Sequence, residues 1–250
     1  MSVMNEPTAA LWEQLKSSRE LFGMTLVGDA ALSLRLGHRT SQNLEFNFSE
    51  FHLPSDKIHS LLSRLAPKGW EFRTIVSTAT MVGYENLGMK LSNYSQNYKA
   101  IGQAGAVELT FSTGSAETRR LFDAGPWFQR LRPRVASLAE LFRLKCLSMV
   151  DRANYPDQFD LYVLMKQGHF GANDLINAFE RAQASSKLEA ALTRFCEGVP
   201  GLNNEGLEPL MDSPPTIAEV QEYFGALLQL SNCRRESSRN TNQSVLCSSR

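Results

Sequence analysis

The stretch Gly28 to Phe48, GDAALSLRLGHRTSQNLEFNF, decides how this chain is read. The apolar run Met24–Val27 enters a glycine turn at Gly28, and Asp29 opens an apolar-periodic segment of helical length. That segment breaks at Gly37-His38-Arg39. Beyond it Leu44, Phe46 and Phe48 alternate with Asn43, Glu45 and Asn47, the period of a half-buried strand. A strand, a glycine turn opening a helix, and a strand carrying an acid form a nucleotide-site layout. The positions where such a site needs oxygen ligands are only partly acidic.

The 250 residues can bury a substantial core, as one large domain or two small ones. Lys and Arg number 26, as do Asp and Glu, so no whole-protein field draws the chain to nucleic acid or membrane. Any phosphate chemistry must rest on local groups. Cys146, Cys196, Cys233 and Cys247 lack C-x-x-C spacing, which disfavours a zinc site and a disulfide framework. No apolar run reaches membrane-spanning length and no signal-peptide h-region opens the sequence, so the expectation is a cytoplasmic protein with no membrane partner.

Working outward, residues 8–22 suit an amphipathic helix with Leu11, Leu15 and Phe22 on one side. Pro54 falls just inside the start of a helix reaching Leu65, which Pro67-Lys68-Gly69 closes. Trp70–Val76, Thr80–Tyr84, Met89–Tyr94 and Val107–Phe111 read as strands in a mostly antiparallel arrangement. Helices are expected over 137–151, 157–167, 173–184, 186–197 and 216–230. The resulting class is α+β, with a core over 1–113, an arginine-rich connector over 114–136, a helical domain over 137–230 and a disordered, serine-rich tail over 231–250.

The helical half carries charge on faces that should turn inward. At the α-helical period Leu138, Phe142 and Met149 form a stripe with Lys145 in its middle and Arg152 extending it. In the next helix Asp157 and Asp160 share a face with Leu161, Leu164 and Met165. Unpaired buried charges are very costly, so these groups should meet each other or a charged ligand. Two readings stand side by side: an ion-pair cluster fixing helix register, or one wall of a phosphate cleft with Lys145 as its cation.

With both features in view, the chain resembles the AbiEii/AbiGii toxin family of nucleotidyltransferase-fold proteins. The family's first motif, roughly G-G-T-A-L-A-L-x-x-G-H-R-x-S-x-D-L-D-F, is similar to Gly28 through Phe46 here. A later pattern, roughly K-x-x-A-x-x-x-R and then R-D-x-x-D-L-Y-x-L, is similar to Lys145 through Arg152 and then Pro156 through Leu164. The resemblance implies a nucleotidyltransferase-type mixed sheet with flanking helices, a helical second half, and a nucleoside triphosphate cleft between them. It implies Gly28, Asp29, Arg39, Ser41 and Lys145 as nucleotide-binding positions, Glu45, Asn43 and Glu108 as ligands of Mg2+ or Mn2+, and Glu45, Lys145 and Asp157 as the catalytic set. It further implies toxin action in a type IV toxin–antitoxin or abortive-infection module, with a cognate antitoxin protein and an RNA acceptor as partners.

The motif is altered where the chemistry lives. Asn43 and Glu45 replace paired aspartates; asparagine removes a negative charge from the metal cage, and glutamate displaces its oxygen by a methylene. Thr110 stands at the third acidic position, while Glu108, two residues away on a strand, shares its face. Asp29, in place of a second glycine, suits a helix N-cap but would repel a triphosphate, and Ala30 replaces a hydroxyl residue. Pro156 replaces an arginine and suits the start of a helix.

His38 reads as a C-terminal cap or surface group, and Arg39 with Ser41 as a phosphate contact or a turn-stabilising pair. Arg119, Arg120, Arg130, Arg132 and Arg134, interleaved with Trp127 and Phe128, read as a solvated linker in preference to an RNA contact. The expected function is nucleoside triphosphate binding or transfer with a weakened or lost metal site. The alternative is a catalytically inactive module that captures a protein or RNA partner.

Overall fold

A computed structural model describes residues 2–123, 132–151, 154–197 and 208–227. Trp127, Phe128, Arg130, Arg152, Cys233, Cys247 and the tail expected over 231–250 lie outside the described residues. The described chain is α+β and divides into two compact units, the first ending at Leu144 and taking in 208–214, the second beginning at Lys145.

The first unit is built on a mixed six-stranded sheet. β1 (Met24–Val27) runs antiparallel to β3 (Asn43–Phe48) and parallel to β7 (Arg134–Val135), an edge strand inside the stretch read as a connector. β3 runs parallel to β6 (Gly105–Ser112). β6 pairs antiparallel with β5 (Ser95–Gly102), and β5 with β4 (Glu71–Thr74). A separate two-stranded ribbon joins β2 (Arg39–Thr40) to β8 (Glu208–Pro209).

Alternation in β3 and β6 sorts the sheet into two faces. Leu44, Phe46, Val107, Leu109 and Phe111 are buried on one face, each contributing roughly 1.5–3 kcal/mol. Phe46 stacks on Phe111 with centroids 5.7 Å apart, and Trp12 of α1 (Glu6–Leu15) lies 6.4 Å from Phe46. A one-residue slip would turn Asn43 and Glu45 into the core in their place, so the apolar face fixes which residues the polar face presents.

Several elements differ from expectation. The helix expected over 8–22 is α1 and then a short 3-10 turn, Arg19–Leu21. Asn5 starts α1 by accepting the Thr8 N–H, and the Ser18 hydroxyl, donating to the Gln14 carbonyl, helps end it. α2 is Gly28–Leu36, and α3 is Ser55–Leu65 with Pro54 one residue before it. The strand expected at Thr80–Tyr84 is a helix, α4 (Thr78–Asn86), and Met89–Tyr94 holds a 3-10 turn. Thr, Val and Tyr favour strands only where a pleated surface packs them; none of the α4 residues is buried. The strand is instead β5, whose odd residues Ser95, Asn97 and Lys99 lack an apolar rhythm. β5 runs antiparallel to both of its neighbours, β4 and β6. α5 is Ala116–Arg120.

In the second unit α6 (Leu138–Asp151) continues past Leu144, followed by α7 (Tyr155–Lys166), α8 (Ala172–Ala182), α9 (Leu188–Glu197) and a helical stretch over 217–227. The Asn154 carboxamide caps α7 by accepting the Asp157 N–H at 3.0 Å, and Pro156 occupies the first turn. α7 buries Tyr155, Phe159, Leu161, Val163 and Met165 around its circumference, as a central helix does.

Candidate functional site

Val27 is the last residue of β1, and its partner in register is Glu45. The chain then turns through Gly28 at φ +65°, the left-handed region that favours glycine, and enters α2. A Cβ on Gly28 would lie 2.9 Å from both Cδ and Oε2 of Glu45. The Glu45 carboxylate therefore rests against the glycine turn, at the end of α2 where backbone N–H groups favour an anion.

Asp29 is not the N-cap of α2; it lies in the first turn, and Val27 occupies the cap position without a side-chain hydrogen bond. The Asp29 carboxylate instead pairs with Arg39, Oδ1 to Nη2 at 2.8 Å, and Arg39 is buried. Burying a guanidinium is tolerable only with such a partner. Ser41 is buried too: its hydroxyl donates to the Asn43 carbonyl at 3.3 Å, while its backbone pairs with Val3 and Asn5. His38 is neither the C-cap of α2, which is Gly37, nor a surface group; it is buried and its carbonyl accepts the Leu210 N–H.

On the polar face of the sheet, register sets the order of the oxygen ligands. Asn43 pairs with Glu108, and Glu45 with Thr110. Lys99 of β5 pairs with Glu108 from the other side, and Asn97 with Thr110. Adjacent strands stand roughly 5 Å apart, so Asn43 and Glu108 are direct neighbours and Glu45 is one pleat repeat along the same face. Glu108 is exposed; Asn43, Glu45 and Thr110 are half-buried. The first unit thus brings together Gly28 with Glu45, Asp29 with Arg39, and Asn43 with Glu108. Lys99 and Asn97 escaped the sequence reading because β5 did.

In the second unit the charges on apolar faces find each other. Lys145 Nζ contacts Asp157 Oδ1 and lies 2.7 Å from Asp160 Oδ2, and all three residues are buried. The Ser148 hydroxyl donates to the Lys145 carbonyl at 2.8 Å and lies 3.4 Å from Asp157 Oδ2. An i,i+3 pair of acids on α7 facing one lysine on α6 is an interhelical ion-pair cluster.

Neither a family model nor a curated protein matches the chain.

One buried acid with several hydrogen-bond partners among the described residues was not singled out in the sequence. Glu140, buried in the first turn of α6, takes two hydrogen bonds from Arg134, at 2.6 and 2.9 Å, and one each from the Asp123 and Ser137 N–H groups. The Ser137 hydroxyl accepts the Glu140 N–H in return. This is a capping box, legible as Ser137-x-x-Glu140. Arg134, one of the five connector arginines, is held inside the first unit, and Arg119 donates to the Gly114 carbonyl.

Burial pushes the Glu140 carboxyl up, but the Arg134 fork and the two N–H donors outweigh it and hold the group below its ordinary value. A depressed folded value contributes stability above the unfolded carboxyl value of about 4.3 that is lost as pH falls through the folded value. Glu140→Gln is expected to lower stability at pH 7 by about 2 kcal/mol. The gap from the parent protein should close on acidification below about pH 4. Urea unfolding of both proteins from pH 7 to pH 3 checks this; a gap that stays constant with pH would contradict it.

Proposed function

We propose that this chain is a nucleotidyltransferase-type domain that binds a nucleoside triphosphate at the Gly28 turn and the polar face of β3 and β6, with transfer chemistry weakened at its ligand positions. The observation that carries the reading is the Glu45 carboxylate against Gly28, with Asn43 beside Glu108 on the same face. The donor set suits a hard divalent cation: Glu45 and Glu108 would supply charged oxygens and Asn43 a neutral one. A bound Mg2+ or Mn2+ would neutralise phosphate charge there. The missing side chain at Gly28 leaves room for the Glu45 carboxylate beside the α2 N-terminus, and Arg39, ion-paired with Asp29, shapes the turn without offering its full charge. The longer arm of Glu45 favours Mn2+ over Mg2+, which demands near-ideal octahedral geometry.

The resemblance extends the proposal to a toxin acting on an RNA acceptor and restrained by a separate antitoxin protein. A second reading, an inactive module that captures a protein or RNA partner, is favoured by the Asp29–Arg39 pair, which places a carboxylate in the phosphate turn.

Calorimetric titration with ATP, GTP, CTP and UTP in Mn2+ and in Mg2+ tests the binding claim. At least one nucleotide with Mn2+ is expected to bind at roughly 0.1–1 mM. Glu45→Gln should weaken that binding at least about tenfold, 1.4 kcal/mol. Silence under every condition would refute it. Labelled nucleotides incubated with cell extract then separate the two readings: slow, Glu45-dependent labelling of a product marks a transferase, and its absence alongside binding marks the inactive module.

A further inference from the structure

A cavity of about 770 Å³ lies between α3, α4 and the β4–β5 edge of the first unit. It is separate from the Gly28 site. Gln96 and Tyr98, which line it, pair in register with Phe111 and Leu109 on the apolar side of the sheet, whereas Glu45 and Glu108 occupy the polar side.

Three observations define what the cavity would hold. Its walls are apolar where they are adaptable: Val76, Met81, Met89 and Leu91 line it, and Val76 and Met81 keep 45% and 40% of their surface in water. Methionine reshapes to fit irregular partners, and apolar side chains left in water around a concave site mark a place for a ligand. A fixed polar wall stands opposite. Tyr98 donates its hydroxyl hydrogen to Gln96 Oε1, and Gln96 Nε2 donates to the Ser55 hydroxyl and the Ser92 carbonyl. Three further groups line the cavity: Lys90, Glu85 and His59. None of the three side chains makes a hydrogen bond or ion pair among the described residues. Lys90 and Glu85 bring one charge of each sign to the lining.

We propose that this cavity binds a small organic molecule of zero net charge, with an apolar or aromatic body and hydrogen-bonding ends. The volume lies within the range of ligand sites, and a mostly apolar lining with a few convergent polar groups is their usual make-up. A net-charged ligand would meet a like charge at Lys90 or at Glu85. The inference does not rest on nucleotide binding.

Fluorescence titration with the uncharged probe N-phenyl-1-naphthylamine tests it. One saturable site is expected, weakened at least tenfold by Met81→Glu and by Val76→Lys, both surface-exposed positions. Phe51→Glu, at an exposed apolar residue that does not line the cavity, should change it less than twofold. The anionic probe 1-anilinonaphthalene-8-sulfonate should bind at least tenfold more weakly. Circular dichroism identifies any variant that fails to fold, and the other then decides. Unsaturable binding, full affinity in the folded cavity variants, loss in Phe51→Glu, or equal binding of the anionic probe would each overturn the proposal.

Discussion

Replacing Lys145 with methionine is expected to destabilise the second unit by about 3–5 kcal/mol. The substitution keeps the length of the side chain and removes its charge. Asp157 and Asp160 would then face each other's carboxylates in a buried site without the cation that contacts both. Removing one partner of a buried ionic cluster leaves uncompensated charge, and that penalty exceeds the value of the original contact. In a chain of this length the thermal midpoint should fall by on the order of 10 °C, at 2–4 °C per kcal/mol. Making Asp157→Asn and Asp160→Asn in the same protein should recover a large part of the loss, since the repulsion disappears with the charges. Urea unfolding followed by far-ultraviolet circular dichroism reads both variants. A loss below about 1 kcal/mol for Lys145→Met would place the lysine among weakly coupled surface charges and contradict its structural role.

The second large effect is a gain. Asn43→Asp combined with Thr110→Asp is expected to make the protein less stable than the parent without divalent cations and more stable with them. In register each new carboxylate would stand beside an existing one, Asp at 43 opposite Glu108 and Asp at 110 opposite Glu45. Without metal, like charges directly opposite on neighbouring strands are destabilising, by up to roughly 1 kcal/mol per pair. With metal, four carboxylates on one face would form a stronger cage of hard oxygen ligands. If the affinity rises so that about 1 mM Mn2+ is a hundredfold above the dissociation constant, binding adds about 2.7 kcal/mol. Thermal unfolding in chelator and in Mn2+ should therefore show a variant less stable than the parent without metal and more stable with it. Identical Mn2+ responses in the two proteins would remove the polar sheet face as a cation site.

The elements that were legible in the sequence are those whose apolar rhythm is strong. β1, α2 and β3 follow from Met24 to Phe48, and α6 to α9 from their buried stripes. The region from Thr78 to Gly102 was misread because its sequence carries the opposite signals. Thr78-Ala79-Thr80-Met81-Val82 has strand-like residues but forms an exposed helix, and Ser95–Gly102 has mixed polar residues but forms a central strand. Packing decides such segments, and local composition does not report it. The site shows the same limit. Alternation placed Glu108 and Thr110 on one face, but the parallel pairing of Asn43 with Glu108 joins distant segments and has no local trace. The Asp29–Arg39 pair was hidden for a related reason: Arg39 follows a glycine C-cap, and only the turn of the backbone brings it back to the start of α2.

The most direct test of nucleotide binding at this site is electron paramagnetic resonance of Mn2+ titrated with the protein and each nucleoside triphosphate. A nucleotide-dependent, saturable loss of the free Mn2+ signal is expected beyond that of Mn2+ and nucleotide alone, abolished by Glu45→Gln and weakened by Asn43→Ala. A signal indifferent to the protein, or protein-dependent binding that survives Glu45→Gln unchanged, would contradict it.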